Sequence, residues 1–286
     1  MSSRILNYIL FQPFFSISYR FTYLFSNILY LIIYKLIGYR KEIIIDNLKK
    51  SFPDKNTKEI KKIVSEFYRH LCNLIIEIGK MTTSSKSFIN KRVTISNVQL
   101  INNYADKNQT IILVAGHFNN WEWIGQKISI CAKQKSVGIY KPLSNKKLDK
   151  ILKNARTRFG AIAVSMQESI RYIIKTKSNT QIIGIIADQN PVVNSTTKWF
   201  SFFGREVPVF MGIEKIAKKM NYPVVFCDMQ KVKKGKYKIT FENLEKNPRN
   251  TAEGEITKRY IQRLEKQIKA EPSQWLWSHR RWKHKK

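Results

Sequence analysis

Apolar residues at Ile60, Ile63, Val64, Phe67, Leu71, Leu74, Ile75 and Ile78 recur at spacings of three and four, the stripe of an amphipathic helix. Thr57 offers an N-cap hydroxyl, and Glu59 places a negative charge in the first turn, where the helix dipole favours it. Before it, Glu42–Phe52 reads as a shorter helix stopped by Pro53. From about Arg92 the pattern changes. Short β-rich runs at Val93–Ser96, Thr110–Ala115, Ser136–Tyr140, Ala161–Val164, Gln181–Ala187 and Pro223–Cys227 are separated by helical patterns. The helices fall at Trp121–Lys133, Lys146–Phe159, Gln167–Lys175 and Phe210–Met220. Tyr237–Phe241 adds a strand and Glu253–Lys269 a late helix. The alternation predicts an α/β fold with a mixed central β-sheet flanked by helices. No Gly/Ser/Pro-rich linker divides residues 41–286, so they are expected to form one domain.

The N-terminus has a different texture. Ile5–Tyr19 and Phe21–Tyr34 are uncharged runs separated only by Arg20. Each is shorter than the roughly 20 apolar residues of a spanning helix, and Pro13 interrupts the first. No small-residue cleavage site follows, which argues against a removable signal peptide. Tyr8, Phe11, Phe14, Phe15, Tyr19, Phe21, Tyr23 and Phe25 make the segment rich in aromatics, as suits the zone between headgroups and acyl chains. Residues 1–40 are therefore expected to be a hydrophobic membrane anchor lying in one leaflet. A single tilted span and a buried core helix are the alternatives.

Charge narrows the partners. The chain carries 52 Lys and Arg against 20 Asp and Glu, a formal net charge of +32. That field attracts polyanions: an anionic membrane surface, an acidic carrier protein or nucleic acid. A biased base composition also yields Lys-rich chains, so charge alone does not select among them. Cys72, Cys131 and Cys227 are scattered and lack metal-ligand spacing, which fits a reducing compartment and no metal site.

The chemistry is expected where Thr110–Ala115 runs into Gly116-His117-Phe118-Asn119-Asn120-Trp121-Glu122. On one continuous helix, residues five apart diverge by about 140°. Here a strand ends at His117 and a helix starts near Asn120, a good N-cap, so Glu122 can turn back toward the imidazole. Such a pair takes a proton from a substrate hydroxyl. No Ser or Cys sits in a nucleophile-elbow context, so the substrate supplies the nucleophile. Asp188-Gln189-Asn190-Pro191 puts polar groups at a second strand end and reads either as a site loop or as a plain turn. Arg156 and Arg158 close a helix, suited to a phosphate headgroup or to solvated cations on the helix dipole. Trp199–Gly204 with Val207-Pro208 is either core strand or acyl-chain wall. Gln274 to Lys283 interleaves aromatics and cations, as at an anionic lipid surface or on single-stranded nucleic acid.

These blocks, in order, resemble the late acyltransferases of bacterial lipid A biosynthesis, within the lysophospholipid acyltransferase superfamily. They are Gly38-Tyr39-Arg40, Asn47-Leu48 with Phe52-Pro53, the His117–Glu122 block, Tyr140-Lys141-Pro142, Arg156-Thr157-Arg158 with Gly160, Ala187-Asp188-Gln189, Phe202-Phe203-Gly204, Val207-Pro208, and Leu276-Trp277 with His279-Arg280-Arg281. The resemblance spans nearly the whole chain. It implies a glycerolipid acyltransferase-like fold and an HX4(D/E) catalytic pair at His117 and Glu122. It also implies an acyl-carrier-protein thioester as donor, a lipid A precursor as acceptor, and a cytoplasmic-facing site on the inner membrane. The FPEG-type block of the glycerol-phosphate enzymes is missing, and Ala270-Glu271-Pro272 stands where the family usually reads Ala-Pro-Glu.

On this reading Glu122 holds the His117 imidazole, and backbone N–H groups around Asn120–Trp121 stabilise the oxyanion. Arg156 and Arg158 grip acceptor phosphate, and Asp188 with Gln189 orders the loop or the headgroup. No metal or redox cofactor is required. An acyltransferase acting on a lysophospholipid or aminolipid is the alternative. A basic nucleic-acid-binding protein is a remote one, disfavoured by the aromatic N-terminus, so no nucleic-acid partner is expected.

Overall fold

The computed structural model describes residues 19–194 and 197–284, so Ile5–Ser18 of the expected anchor lies outside the described residues. The chain opens with α1 (Tyr19–Tyr30), a π-helical stretch (Leu31–Ile37), α2 (Lys41–Ser51), α3 (Thr57–Met81) and α4 (Lys86–Arg92). Then come β1 (Val93–Ile95), α5 (Gln99–Asp106), β2 (Ile111–Ala115), α6 (Trp121–Cys131), β3 (Lys135–Tyr140) and α7 (Lys146–Thr157). β4 (Ile162–Ser165), α8 (Ser169–Lys175), β5 (Gln181–Ile186), β6 (Lys198–Phe202), β7 (Arg205–Val209) and α9 (Gly212–Met220) follow. β8 (Val224–Lys233), β9 (Lys236–Glu245) and α10 (Glu255–Ala270) complete the set.

Seven strands form the central sheet in the order β1-β9-β8-β2-β5-β3-β4. Pairing is parallel except between β8 and β9. Every residue of β2 is buried, as expected of a central parallel strand with helices on both faces. One core cluster joins Val114, Phe226 and Ile183 to α3 and α10; the other joins Ile111, Leu113 and Trp123 to α6.

Several boundaries differ from the sequence reading. Asn56, not Thr57, caps α3: its side chain accepts from the Lys58 and Glu59 amides, and Glu59 accepts from the Asn56 amide. The extended backbone of Asn56 allows this reciprocal box, whereas Thr57 is already helical. β8 and β9 run further than their apolar halves suggest, through lysine-rich segments that turn at Gly235, whose φ is +65°. Trp199–Val209 is a hairpin separate from the main sheet. Phe203 and Gly204, with φ of 54° and 68°, form its tight turn. Phe202 and Phe203 are buried, so that end of the apolar stretch is core.

The C-terminal aromatics are also core. Trp275 and Trp277 are 1% and 0% exposed, and Arg281 is 2% exposed. Arg281 donates to Pro208 O and Asn190 Oδ1. The expectation that this block lies on a lipid surface is corrected: its indoles pack with Phe202, Phe203 and Phe52.

α1 is amphipathic with its polarity reversed. Thr22, Tyr23, Ser26 and Tyr30 are buried, and Tyr23, Ser26 and Tyr30 bond to Glu77, Asn73 and Ser65 of α3. Phe21, Leu24, Ile28 and Leu31, spaced by three and four, are all more than half exposed, as are Leu36 and Ile37 beyond them. Among the described residues no single helix is long and apolar enough to cross a membrane; Phe21–Ile37 and Lys41–Ser51 qualify only as a pair bent by 90°.

Candidate active site

β2 and β5 lie side by side and parallel, with Ala115 opposite Ile186. His117 and Asp188 each stand two residues further on and so emerge together at the carboxyl edge of the sheet, where open α/β folds gather their sites. His117 Nδ1 meets Asp188 Oδ1 at 2.5 Å, and the His117 amide donates to Asp188 Oδ2 at 2.8 Å. Trp275 Nε1 donates to that same Oδ2 at 2.7 Å. The Asp188 side chain is 2% exposed, the His117 side chain 20%. With Nδ1 pinned, Nε2 is the nitrogen left for a reactant. Gln189 Nε2 lies 3.4 Å from it, and the Trp121 ring packs edge-on at 4.9 Å.

The electrostatics follow from this contact. Burial opposes protonation of His117, but the adjoining Asp188 carboxylate, through charge and hydrogen bond, prevails and raises the imidazole pKa above its ordinary value. Burial pushes Asp188 the other way, yet the imidazole, the His117 amide and Trp275 hold its carboxyl well below the usual carboxylate range. Gly116 permits the approach. A Cβ there would sit 2.5 Å from Leu264 Cδ1, itself buried, and 3.4 Å from Asp188 Oδ2.

Glu122 does not make the bond expected of it. Its two oxygens accept from Arg156 Nη2 and Nε at 2.6 and 2.9 Å. The bidentate guanidinium fork outcompetes a single imidazole N–H, and Asp188 already occupies Nδ1. Glu122 still acts on His117 at a distance, its charge raising the imidazole pKa while Arg156 opposes it. Arg156 also lies over the Tyr140 ring at 5.4 Å.

Three other expectations resolve differently. Asn120 is fully buried and cannot touch substrate: it caps α6 through Trp123 N and donates to Glu77 at 2.8 Å. Arg158 donates to the carbonyls of Ser84 and Thr82, both at 2.8 Å, so its fork braces the end of α3. Asp188 belongs to the imidazole rather than to a headgroup, whereas Gln189 is exposed beside Nε2.

Sequence reasoning missed Glu77 and Trp275. Glu77, 0% exposed, gathers Tyr23, Asn120 and Tyr237 and so fixes the loop after β2 from below. Its only sequence signal is an acidic residue interrupting the Leu74–Ile78 apolar run. The Trp275 indole was visible, but its partner depends on how the C-terminal segment folds back onto Phe118.

The family model for bacterial lipid A biosynthesis acyltransferases matches residues 14–284. The chain is similar to the lipid A biosynthesis palmitoleoyltransferase of Escherichia coli (strain K12) and to a lipid A biosynthesis acyltransferase of Shigella flexneri. Each is 22% identical over 253 residues, covering 85% of this chain and 79% of the relative.

Proposed function

This chain belongs to the bacterial lipid A biosynthesis acyltransferase family, and from that premise we propose that it moves a fatty acyl group from an acyl-carrier-protein thioester to a hydroxyl of a lipid A precursor. The observation that carries the mechanism is the His117–Asp188 contact at the ends of β2 and β5. His117 Nε2 takes the proton of the acceptor hydroxyl as its oxygen attacks the thioester carbonyl. The C–S bond then breaks, and the departing sulfur takes the proton from the imidazolium. Asp188 keeps the proton on Nδ1 and offsets the charge that forms on the ring. The Trp121 and Glu122 amides, in the first turn of α6, have no intrahelical acceptor and suit the developing oxyanion. The Glu122–Arg156 pair positions the wall beside the imidazole.

On this reading the outward apolar face of α1 and the π-helical stretch lies in the membrane surface, with the catalytic domain on the cytoplasmic side of the inner membrane. The three free cysteines accord with a reducing compartment. Mass spectrometry of lipid A from cells lacking the gene tests the acceptor. Lipid A short of one acyl chain, restored by the wild-type gene and not by His117→Ala, is expected. Unaltered lipid A beside accumulating lysophospholipid would overturn the acceptor assignment.

A further inference from the structure

A polar cavity of about 360 Å³ lies between α1, α3 and the β8–β9 turn. Arg69, His70, Lys231 and Lys234 all line it, and Glu66 is the single acidic residue among its lining. None of Arg69, Lys231 and Lys234 forms an ion pair among the described residues. Aromatic rings hold two of them in place: Arg69 lies over Tyr30 at 4.5 Å and Lys234 over Tyr23 at 4.2 Å. His70 is 3% exposed, and its Nε2 has no hydrogen-bond partner. Burial first, and then the Lys231 charge, push its pKa down to about 3. Lys234 is likewise depressed, by burial and then by Lys231.

Three cations facing one lining carboxylate, Glu66, leave an excess of positive charge that an entering anion relieves, and a buried nitrogen with no partner is a group whose donor or acceptor capacity is unspent. The surroundings specify the anion. Ser26 and Tyr30 of α1 face the cavity, while Leu24, Phe25 and Ile28 of that helix, and Leu31 just beyond it, are exposed on its other side. An anionic head seated among the cations would have its apolar tails at an apolar surface. We propose that this cavity binds the phosphate group of a phosphorylated lipid, with Arg69, Lys231 and Lys234 as ligands and the outward face of α1 along its acyl chains. An incoming phosphate would also favour protonation of His70, turning the orphaned Nε2 into a donor. The site shares no residue with the surroundings of His117 and stands whether or not the acyl-transfer reading holds.

The test measures binding with no acyl donor present. Full-length protein in a neutral detergent is titrated with dihexanoyl phosphatidic acid, dihexanoyl phosphatidylcholine and inorganic phosphate, followed by phosphorus NMR. Phosphatidic acid is expected to bind at least about tenfold tighter than the other two. Replacing Lys231 and Lys234 together by Gln removes two charge-assisted contacts and should weaken it by about tenfold or more; replacing both by Arg should retain it. Lys234 lies in the exposed turn and Lys231 is half-buried near the outer end of β8, where Gln keeps most of the aliphatic stem, so the fold is spared. Undiminished binding in the Gln variant, no binding by the wild type, or equal affinity for inorganic phosphate would each overturn the proposal.

Discussion

Asp188 and Glu122 both place a carboxylate near His117, and pH separates their roles. The His117 pKa is raised above 6.5, with Asp188 as the main favourable cause. A general base works unprotonated, so kcat/KM should climb with pH through a midpoint above 6.5. Asp188→Asn should lower the rate by about 10²–10⁴-fold and move that midpoint to lower pH, because burial then acts on the ring unopposed. His117→Ala should lose a similar factor with no imidazole limb left. Glu122→Gln should also cost activity, by loosening Arg156, while moving the midpoint far less. A profile that shifts for Glu122→Gln and not for Asp188→Asn would reverse the assignment of the imidazole's partner. For stability the signs are opposite. The raised His117 contributes below its unfolded pKa, and that contribution is lost as pH rises through the folded value; the depressed Asp188 contributes above its unfolded pKa and loses that contribution in acid.

α1 carries the clearest instruction of any single element. A surface helix ordinarily turns its apolar stripe inward, yet here hydroxyls and Tyr rings bond to α3 while Phe21, Leu24, Ile28 and Leu31 face out. Fully burying such a side chain is worth about 1.5–3 kcal/mol, and with little more than half of each exposed the set gains roughly half of that per residue on entering a bilayer, which favours membrane contact. Leu24→Glu with Ile28→Glu should release much of the protein from membranes. Its thermal midpoint in detergent should barely change, since both side chains are more than half exposed. Full retention through a high-salt wash would show that the membrane contact lies elsewhere.

Across the whole molecule, segments distant in sequence meet around the C-terminal strap. Asn47 Nδ2 donates to the carbonyls of Trp277 and His279 at 2.9 and 3.0 Å, and Arg40 donates to Ser278 O. Phe52 and Phe203 pack on Trp277, and Trp275 reaches Asp188. The blocks around Arg40, Asn47–Phe52, Asp188, Phe203 and Trp277–His279 thus brace one another behind the site. Asn47 is 5% exposed, so Asn47→Ala strands two carbonyls out of reach of bulk water. It should cost about 1–3 kcal/mol of stability for each group left unpaired, read by urea denaturation. A loss within about 0.5 kcal/mol would show that the strap is held without it.

Most element types, the α/β class and the strand end at His117 were legible because they are local, whereas the helices Lys86–Arg92 and Gln99–Asp106 and the outward-facing apolar side of α1 came only with the structure. Hydrophobic period, caps and turns act over a few residues, and the chain displays them directly. The ordered motif blocks carried the family by the same route, one short segment at a time. Partnerships were not legible. Glu122 lies five positions from His117 and Asp188 seventy-one, yet the distant carboxylate holds the ring. That outcome depends on β2 pairing with β5 in the register that sets Ala115 against Ile186, and on α7 delivering Arg156 to Glu122 first. Likewise Arg158, Trp275 and Trp277 read as surface chemistry and proved to be bracing and core. A side chain's type limits what it can bond, but strand order and helix packing determine which partner arrives, and neither is encoded in any short stretch of the chain.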